Sequence, residues 1–148
     1  MIYTYWTRAA ANVAFNAHRN QADTCGFPYI MHPLHVAEQM DTEDETIVAL
    51  LHDVVEDGHI SLTELSRMGF NDTVVHAVSL LTHYKYMSYK EYLERLKSDP
   101  VARKVKLADI EHNMDETRYS ACFGLVSEEI ILRRRRKYAA AKKFLMEE

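Results

Sequence analysis

Apolar residues recur at helical spacing along most of the chain. A first segment, from about Thr4 to Arg19, carries its apolar side chains on one broad face: Trp6, Ala10, Val13, Ala14 and Ala17. Residues three and four apart in sequence are neighbours on a helix, so this spacing predicts an amphipathic helix. Similar patterns occupy residues 34–40, 47–57, 61–69, 74–81, 89–96, 100–108 and 127–144. The chain is therefore predicted to form a succession of short helices.

Residues typical of helix ends separate these segments. Thr42 with the acidic run that follows it, and Ser61 with a glutamate three residues later, are typical of helix N-termini. Pro100 fits the first turn of a helix, and a Gly-Phe-Pro sequence at 26–28 interrupts the pattern. Only four Gly and three Pro occur, fewer than a fold rich in tight turns needs. We therefore predict an all-α fold, a single-domain helical bundle that spans residues 1–148.

Composition and charge narrow the range of functions. The formal net charge is −4, which argues against electrostatic binding to nucleic acid. The apolar segments are too short to span a membrane, and the N-terminal sequence lacks the basic and apolar regions of a signal peptide. We therefore expect a soluble cytoplasmic protein with neither nucleic-acid nor membrane partners. In that reducing compartment Cys25 and Cys122 are expected to be free thiols.

Side chains that commonly bind metals interrupt the apolar stretches of the predicted helices. His32 follows an apolar Tyr-Ile-Met sequence, His52 and Asp53 interrupt the most apolar helix, and Asp109 interrupts another apolar run. Burying this many polar groups costs several kcal/mol unless each finds a partner. A shared cation can satisfy all of them. The sequence therefore predicts a metal site formed by these residues: His32, His52, Asp53 and Asp109.

The predicted ligands and the acids beside them indicate hydrolytic chemistry. Two imidazoles and two carboxylates suit Mn, Fe, Zn, Co or Ni better than Ca or Mg, and ligand type alone leaves the choice among the former open. Water bound to such a metal has a lowered pKa and becomes a usable nucleophile. Glu56 lies one helical turn beyond His52 and Asp53, and Asp57 follows it. Their carboxylates are placed to orient that water or to carry its protons.

Three stretches of the sequence resemble one known family. GFPYIMHPLHVA at residues 26–37, ALLHDVVED at 49–57 and VKLADIEHNM at 105–114 are similar to the hydrolase domain of Rel/Spo-type alarmone enzymes, which belongs to the HD-domain superfamily. The resemblance covers about residues 14–114, and three motifs in the same order make it specific. It implies the helical HD-domain fold. It also implies a guanosine-3′,5′-bis(diphosphate) 3′-pyrophosphohydrolase, which removes the 3′-pyrophosphate from the nucleotide (p)ppGpp.

The resemblance also assigns roles to single residues. It implies that the four predicted ligands hold a divalent metal, Mn²⁺. The adjacent histidine pair typical of two-metal relatives is absent, and this favours a single ion. Glu56 and Asp57 would be the catalytic acids, and Asn113 would contact the nucleotide. His112, inside the third motif, would orient a metal ligand.

The chain departs from the family where the substrate would be recognised. The family carries a basic pair before the first motif, where this chain has Asp23 and Thr24. Two further arginines of the family correspond to Ile110 and Asp115. Each lost charge-assisted hydrogen bond to a phosphate costs roughly 1.5–3 kcal/mol. The function therefore stays open between hydrolysis of (p)ppGpp, hydrolysis of another nucleotide or pyrophosphate, and a non-catalytic module that senses a metal or nucleotide.

One dense basic run, from Arg133 to Arg136, lies on the last predicted helix. Four consecutive residues point in all directions around a helix, so most of them are expected to be solvated. The apolar stripe of this helix passes through positions 134 and 135. One of these two arginines is therefore expected to lean over the stripe or to reach a bound phosphate. No feature of the sequence indicates an oligomeric state.

Overall fold

Helices account for most of the chain. The computed structural model describes residues 1–58, 60–122 and 124–148. The α-helices are α1 (Tyr5–Ala17), α2 (Met31–Glu38), α3 (Glu43–Leu51), α4 (Val54–Asp57), α5 (Leu62–Arg67), α6 (Asp72–Leu81), α7 (Tyr89–Lys97), α8 (Pro100–Asn113) and α9 (Glu128–Met146). A 3₁₀ helix, η1 (Glu116–Cys122), lies between α8 and α9. No β-strand occurs among the described residues, and Ala22 and Pro28 form an isolated antiparallel bridge. The predicted all-α fold is confirmed.

Side-chain caps determine where several helices begin. Thr42 and Ser61 each head a capping box, in which the cap side chain and a glutamate three residues later bond to each other's backbone N–H groups. Asp99 caps α8 directly before Pro100, as the sequence of a helix start requires. Ser88 heads a further capping box at the start of α7. These helix starts depend on residues a few positions apart and follow from the local sequence.

Helix α3 lies at the centre of the bundle. It packs against α1, α2, α6 and α8. Residues 46–51 are all buried, so the second half of the helix has no face open to solvent. The residue that follows, His52, is consequently delivered into the interior and is only 2% exposed. Within the described residues, no helix combines the length and apolar character needed to cross a membrane.

One predicted helix is interrupted at the candidate site. The periodicity predicts a single helix over residues 47–57, but α3 ends and α4 begins on either side of His52 and Asp53. The backbone of Asp53 has φ −108° and ψ −4°, and the His52 ring bonds back to the Ala49 carbonyl through Nδ1 at 2.6 Å. Adjacent residues of a regular helix point about 100° apart. The turn instead allows both side chains to point into the same part of the interior.

The two cysteines are joined in a disulfide. Cys25 lies in the loop between α1 and α2, and Cys122 ends η1, with their Cα atoms 4.6 Å apart. That separation lies within the usual range for a disulfide. The expectation of two free thiols was wrong, because packing brings together two residues that are 97 positions apart in sequence. The bond ties the loop before α2 to η1.

Reduction of this disulfide is expected to lower the melting temperature by several degrees. Removing a native cross-link that closes a long loop typically costs about 2–4 kcal/mol. Calorimetry with and without dithiothreitol measures the shift. The double variant Cys25→Ser, Cys122→Ser should melt at the lower temperature under both conditions. If the melting temperature of the wild-type protein is the same with and without the reductant, the disulfide between Cys25 and Cys122 is contradicted.

Candidate active site

Four side chains from three parts of the chain meet in the interior. His32 lies in α2, His52 and Asp53 lie in the turn between α3 and α4, and Asp109 lies in α8. His32 Nε2 is 2.9 Å from Asp109 Oδ1, and His52 Nε2 is 3.1 Å from Asp53 Oδ2. The two diagonal distances, His32 to Asp53 and His52 to Asp109, are both 3.8 Å. The structure therefore brings together the four residues that the sequence predicts as metal ligands.

The cluster concentrates negative charge in the protein interior. The side chains of Asp53 and Asp109 are only 15% and 7% exposed. Burial opposes ionisation of Asp109, but Lys106 and the two histidines outweigh it and hold the pKa of this carboxyl well below its usual range. Burial likewise disfavours a charged imidazole, yet Asp53 and Asp109 raise the pKa of His52 well above its usual value. The acids thus favour a positive charge at the centre of the cluster.

The hydrogen bonds of the two imidazoles test whether the cluster fits a metal. A metal would bind the neutral His52 ring, in which Nδ1 donates to a backbone carbonyl and Nε2 keeps a lone pair. This buried Nε2 has no hydrogen-bond partner among the described residues. Burial and the nearby Arg118 lower the pKa of His112 to about 4. Neutral His112 can accept a bond from His32 Nδ1, 2.7 Å away, so that His32 Nε2 also faces inward with a lone pair. Two imidazole nitrogens and two carboxylates then suit a divalent transition metal.

Two side chains that support the carboxylates were missed by the sequence analysis. The Tyr29 hydroxyl donates to Asp53 Oδ2 at 2.5 Å. Lys106 Nζ donates to Asp109 Oδ2 at 2.7 Å and is 12% exposed. Lys106 precedes Asp109 by three residues on α8, a spacing that places side chains together on a helix and was visible in the sequence. Tyr29 offered no comparable signal, because its partner is 24 residues away.

The two predicted catalytic acids differ in their position. A cavity of about 380 Å³ opens over the cluster, and Glu56 lines it whereas Asp57 does not. Glu56 Oε1 accepts a bond from the His83 backbone N–H at 2.7 Å, and Asp57 Oδ2 accepts one from the Gln21 amide at 3.4 Å. Partial burial and the nearby aspartates raise the pKa of Glu56, and burial and Asp53 raise that of Asp57. Glu56 is therefore the acid in contact with the cavity.

Asn113 lines the same cavity but already has a partner. Its Nδ2 donates to the side-chain oxygen and to the carbonyl of Asp109, at 2.8 and 3.0 Å. The amide thus supports one of the predicted ligands. Contact with a nucleotide, which the resemblance implies for Asn113, stays a prediction.

Cations and aromatic rings of α7 and α9 form one wall of the cavity. The Arg134 guanidinium lies 5.8 and 5.9 Å from the centres of two tyrosine rings, and Lys137 Nζ lies 4.4 Å from the centre of the Tyr89 ring. Burial and the neighbouring cations Lys106 and Arg134 lower the pKa of Lys137. Within the described part of the chain, neither Arg134 nor Lys137 forms an ion pair. This wall can therefore bind an anion.

The basic run on α9 divides between the cavity and the solvent. Arg134 lines the cavity, as expected for one of the two middle arginines. Arg135 bonds through Nε to Glu116 of η1 at 2.8 Å, outside the cavity, and Arg133 and Arg136 are exposed. The helix thus presents one arginine of the run to the cavity.

Comparisons with known proteins cover most of this chain. A family profile described as HD domain matches residues 10–121. The GTP pyrophosphokinase of Streptomyces coelicolor is 35% identical over 123 residues, which cover 74% of this chain and 14% of that protein. The bifunctional (p)ppGpp synthase/hydrolase SpoT of Escherichia coli is 35% identical over 122 residues, which cover 72% and 17% respectively. The chain thus spans less than a fifth of the length of these relatives.

A solved structure has a similar fold over nearly the whole chain. It is that of a metazoan ortholog of SpoT that hydrolyses ppGpp. The TM-score is 0.68 at 21% sequence identity, and the match covers 98% of this chain and 96% of the other. At this identity the likeness establishes the fold.

Substitution of Asp57 by Asn is expected to stabilise the metal-free protein at neutral pH. The raised pKa of Asp57 means that its charged form is disfavoured in the folded state, while the amide keeps an acceptor for Gln21. The gain, a few degrees in melting temperature at most, should be present above the usual pKa of Asp and should vanish as the wild-type carboxyl becomes protonated in acid. Thermal melts between acid and neutral pH measure it. Glu38→Gln, on the exposed face of α2, is the control and should change nothing.

Proposed function

The chain belongs to the HD-domain family, and we propose that it is a metal-dependent phosphohydrolase that removes the 3′-pyrophosphate from (p)ppGpp. One observation carries the proposal: two imidazoles and two carboxylates converge at a cavity that is also lined by cations without an acidic partner in the described residues. This arrangement suits a substrate with a phosphoryl group at the metal and further phosphates at the basic wall. The relatives named for (p)ppGpp chemistry support this substrate class. Residues 1–148 would form one such domain.

His32, His52, Asp53 and Asp109 would hold one divalent metal ion. The donor set suits Mn, Fe, Zn, Co or Ni, and the resemblance to Rel/Spo-type hydrolases favours Mn²⁺. Once bound, the metal would stabilise developing negative charge and would lower the pKa of its bound water. Three of the donor atoms, from His32, His52 and Asp109, already lie within 4.8 Å of one another.

Glu56 is our choice for the group that takes a proton from the attacking water. It lines the cavity, its Oε1 is held by the His83 N–H, and its raised pKa makes it a better base than an ordinary carboxylate. The nearby charge of Asp57 contributes to that raised pKa. Asp57 would therefore act through Glu56, and Asn113 would offer its amide oxygen to the nucleotide while its nitrogen holds Asp109.

The basic wall would bind the phosphates of the substrate. Lys137 and Arg134 have no acidic partner in the described residues and are held against aromatic rings. Lys106 contributes charge to the same wall while it holds Asp109. Hydrogen bonds from such cations to phosphate oxygens are stronger than neutral ones. A small-molecule nucleotide is therefore the partner that these residues favour.

A second candidate substrate is another nucleotide or pyrophosphate. The observation that favours it is Asp23, which lines the cavity where the Rel/Spo-type relatives carry a basic residue. We propose the cytoplasm as the site of action.

The proposed reaction is tested by product analysis with Mn²⁺-loaded protein. Guanosine tetraphosphate is expected to yield pyrophosphate and GDP, and a panel of other nucleotides and sugar nucleotides tests the second candidate. Glu56→Gln should lower turnover by at least about 100-fold with metal content unchanged, because the amide cannot accept the proton. Glu94→Gln, at an exposed position of α7, is the matched control. Absence of turnover on the whole panel would refute the hydrolase and favour a sensor module.

Asp109→Asn is expected to weaken binding of Mn²⁺ by at least about 10- to 100-fold. The amide keeps the shape of the side chain but removes the negative charge that the cluster directs at the metal. Metal content after dialysis, measured by inductively coupled plasma mass spectrometry, provides the readout. Glu111→Gln is the control, because Glu111 lies on the same helix and is exposed. A dialysed Asp109→Asn protein that retains as much metal as wild type would exclude Asp109 as a ligand.

A further inference from the structure

Arg118 lies in the cavity wall although it belongs to none of the sequence motifs. It is part of η1, and its Nη2 donates to Asp23 Oδ2 at 2.9 Å. Its Nη1 donates to the backbone carbonyl of His112 at 3.1 Å. The side chain is 23% exposed, and that of Asp23 is 13% exposed. Since both residues line the cavity, their ion pair forms part of the surface that a substrate meets.

Asp23 is held on its other side by its own loop. Its Oδ1 accepts hydrogen bonds from the backbone N–H groups of Cys25 and Phe27, at 2.8 and 3.0 Å. Partial burial opposes ionisation, but Arg118 and these two N–H groups lower the pKa of Asp23. The carboxylate is therefore charged and fixed in orientation. It fixes the guanidinium in turn.

The disulfide is a second connection between the same two segments. Cys25 lies two residues after Asp23, and Cys122 lies four residues after Arg118. The loop before α2 and η1 are thus joined by a covalent bond and by an ion pair. Both connections hold Arg118 at the cavity. Its side chain therefore loses little conformational entropy when a ligand binds. Its remaining N–H donors are available to that ligand.

The two walls of the cavity differ in charge. The wall from α8 and α9 carries three cations, Lys106, Arg134 and Lys137, and one acid, Asp109, so it keeps a net positive charge. The loop wall carries the ion pair of Asp23 and Arg118, with no net charge. On the premise of the proposed hydrolase, we propose that Arg118 is a specificity-determining residue positioned by Asp23. Its free donors bind a polar or anionic group of the nucleotide on the loop side. Asp23 reduces the positive charge there, and this side therefore favours the less phosphorylated part of a substrate.

A planar guanidinium is suited to this role. Its donors match two oxygens of one phosphate or one base edge, which a lysine ammonium does not do. Arg118 therefore supplies from η1 a cation that the loop itself lacks at Asp23 and Thr24. Two free cations would attract every additional phosphate of a substrate. The carboxylate of Asp23 weakens this attraction at Arg118, because its negative charge lies beside the guanidinium.

Equilibrium binding separates this role from catalysis. Titration calorimetry on Mn²⁺-loaded Glu56→Gln protein, with guanosine tetraphosphate and pentaphosphate as the probes, measures affinity without turnover. Adding Arg118→Met, which keeps the length of the side chain but removes its donors, is expected to weaken tetraphosphate binding by about 10-fold or more. Adding Asp23→Asn, which removes the charge and keeps the shape, should raise the affinity for the pentaphosphate relative to that for the tetraphosphate.

Glu116→Gln is the matched control. It removes the acidic partner of Arg135 on the same η1 segment, outside the cavity, and should leave both affinities unchanged. If Arg118→Met fails to give a wild-type circular dichroism spectrum, Arg118→Lys serves instead, with weaker binding expected because the fork of donors is lost. Affinities within about 2-fold of the parent for the folded Arg118 variant, or equal effects of Asp23→Asn and Glu116→Gln, would overturn the proposal.

The outcomes for activity and for Arg118 are distinguishable. Turnover by the wild-type protein with unaltered binding by the Arg118 variant would retain the hydrolase and reject the role of Arg118. If that variant binds more weakly and wild type turns over no nucleotide, the hydrolase is rejected. A nucleotide-binding site to which Arg118 contributes is then retained. A Glu56→Gln protein that binds neither probe would reject both.

Discussion

The buried carboxylates of Asp53 and Asp109 face two imidazoles across one small volume, and the surrounding structure depends on the balance of charge there. Two acids in the interior repel each other and lose their hydration, so each needs a positive partner. Lys106 provides one, and a protonated His52 provides another when no metal is bound. A divalent cation is the partner that can contact all the inward-facing atoms at once. The cluster is thus poorly stabilised by packing alone and well suited to a metal.

Each predicted ligand also forms a hydrogen bond with a neighbouring group that is not itself a predicted ligand. Tyr29 bonds to Asp53, Lys106 and Asn113 bond to Asp109, and a backbone carbonyl orients His52. His112 does the same for the remaining histidine, whose outer nitrogen it meets at 2.7 Å. Such contacts set ring orientation and tautomer before any ligand arrives, and this order raises metal affinity. The outer contacts therefore belong to the candidate site as much as the ligands do.

The cavity above the cluster combines walls from distant parts of the chain. The α9 wall brings cations against aromatic rings, and the loop wall carries an ion pair secured by a disulfide. The chain lacks the basic pair that its resemblance to Rel/Spo-type enzymes leads one to expect, but it still presents an arginine to the cavity. Arg118 extends from η1 to the loop side of the cavity, where Asp23 accepts a hydrogen bond from its guanidinium. Fold similarity to a ppGpp hydrolase and a changed recognition surface are therefore compatible.

Elements that depend on near neighbours follow from the amino-acid sequence alone. Capping residues such as Thr42 and Ser61 specify helix starts because their bonds span three residues, and helical periodicity specifies the buried faces. The predicted ligands stood out because polar side chains in apolar stretches require a partner. The contact between Lys106 and Asp109 could also have been predicted, because Lys106 lies one helical turn before Asp109.

Contacts between residues far apart in sequence depend on how the helices pack. Asp23 and Arg118 are 95 residues apart, and the two cysteines are 97 apart. Neither pair has a spacing that predicts contact, because the packing of whole helices sets both separations. The break between α3 and α4 is of the same kind: local periodicity favours one continuous helix. The requirement that His52 and Asp53 both reach Asp109 and His32 across the bundle accounts for the turn that replaces it.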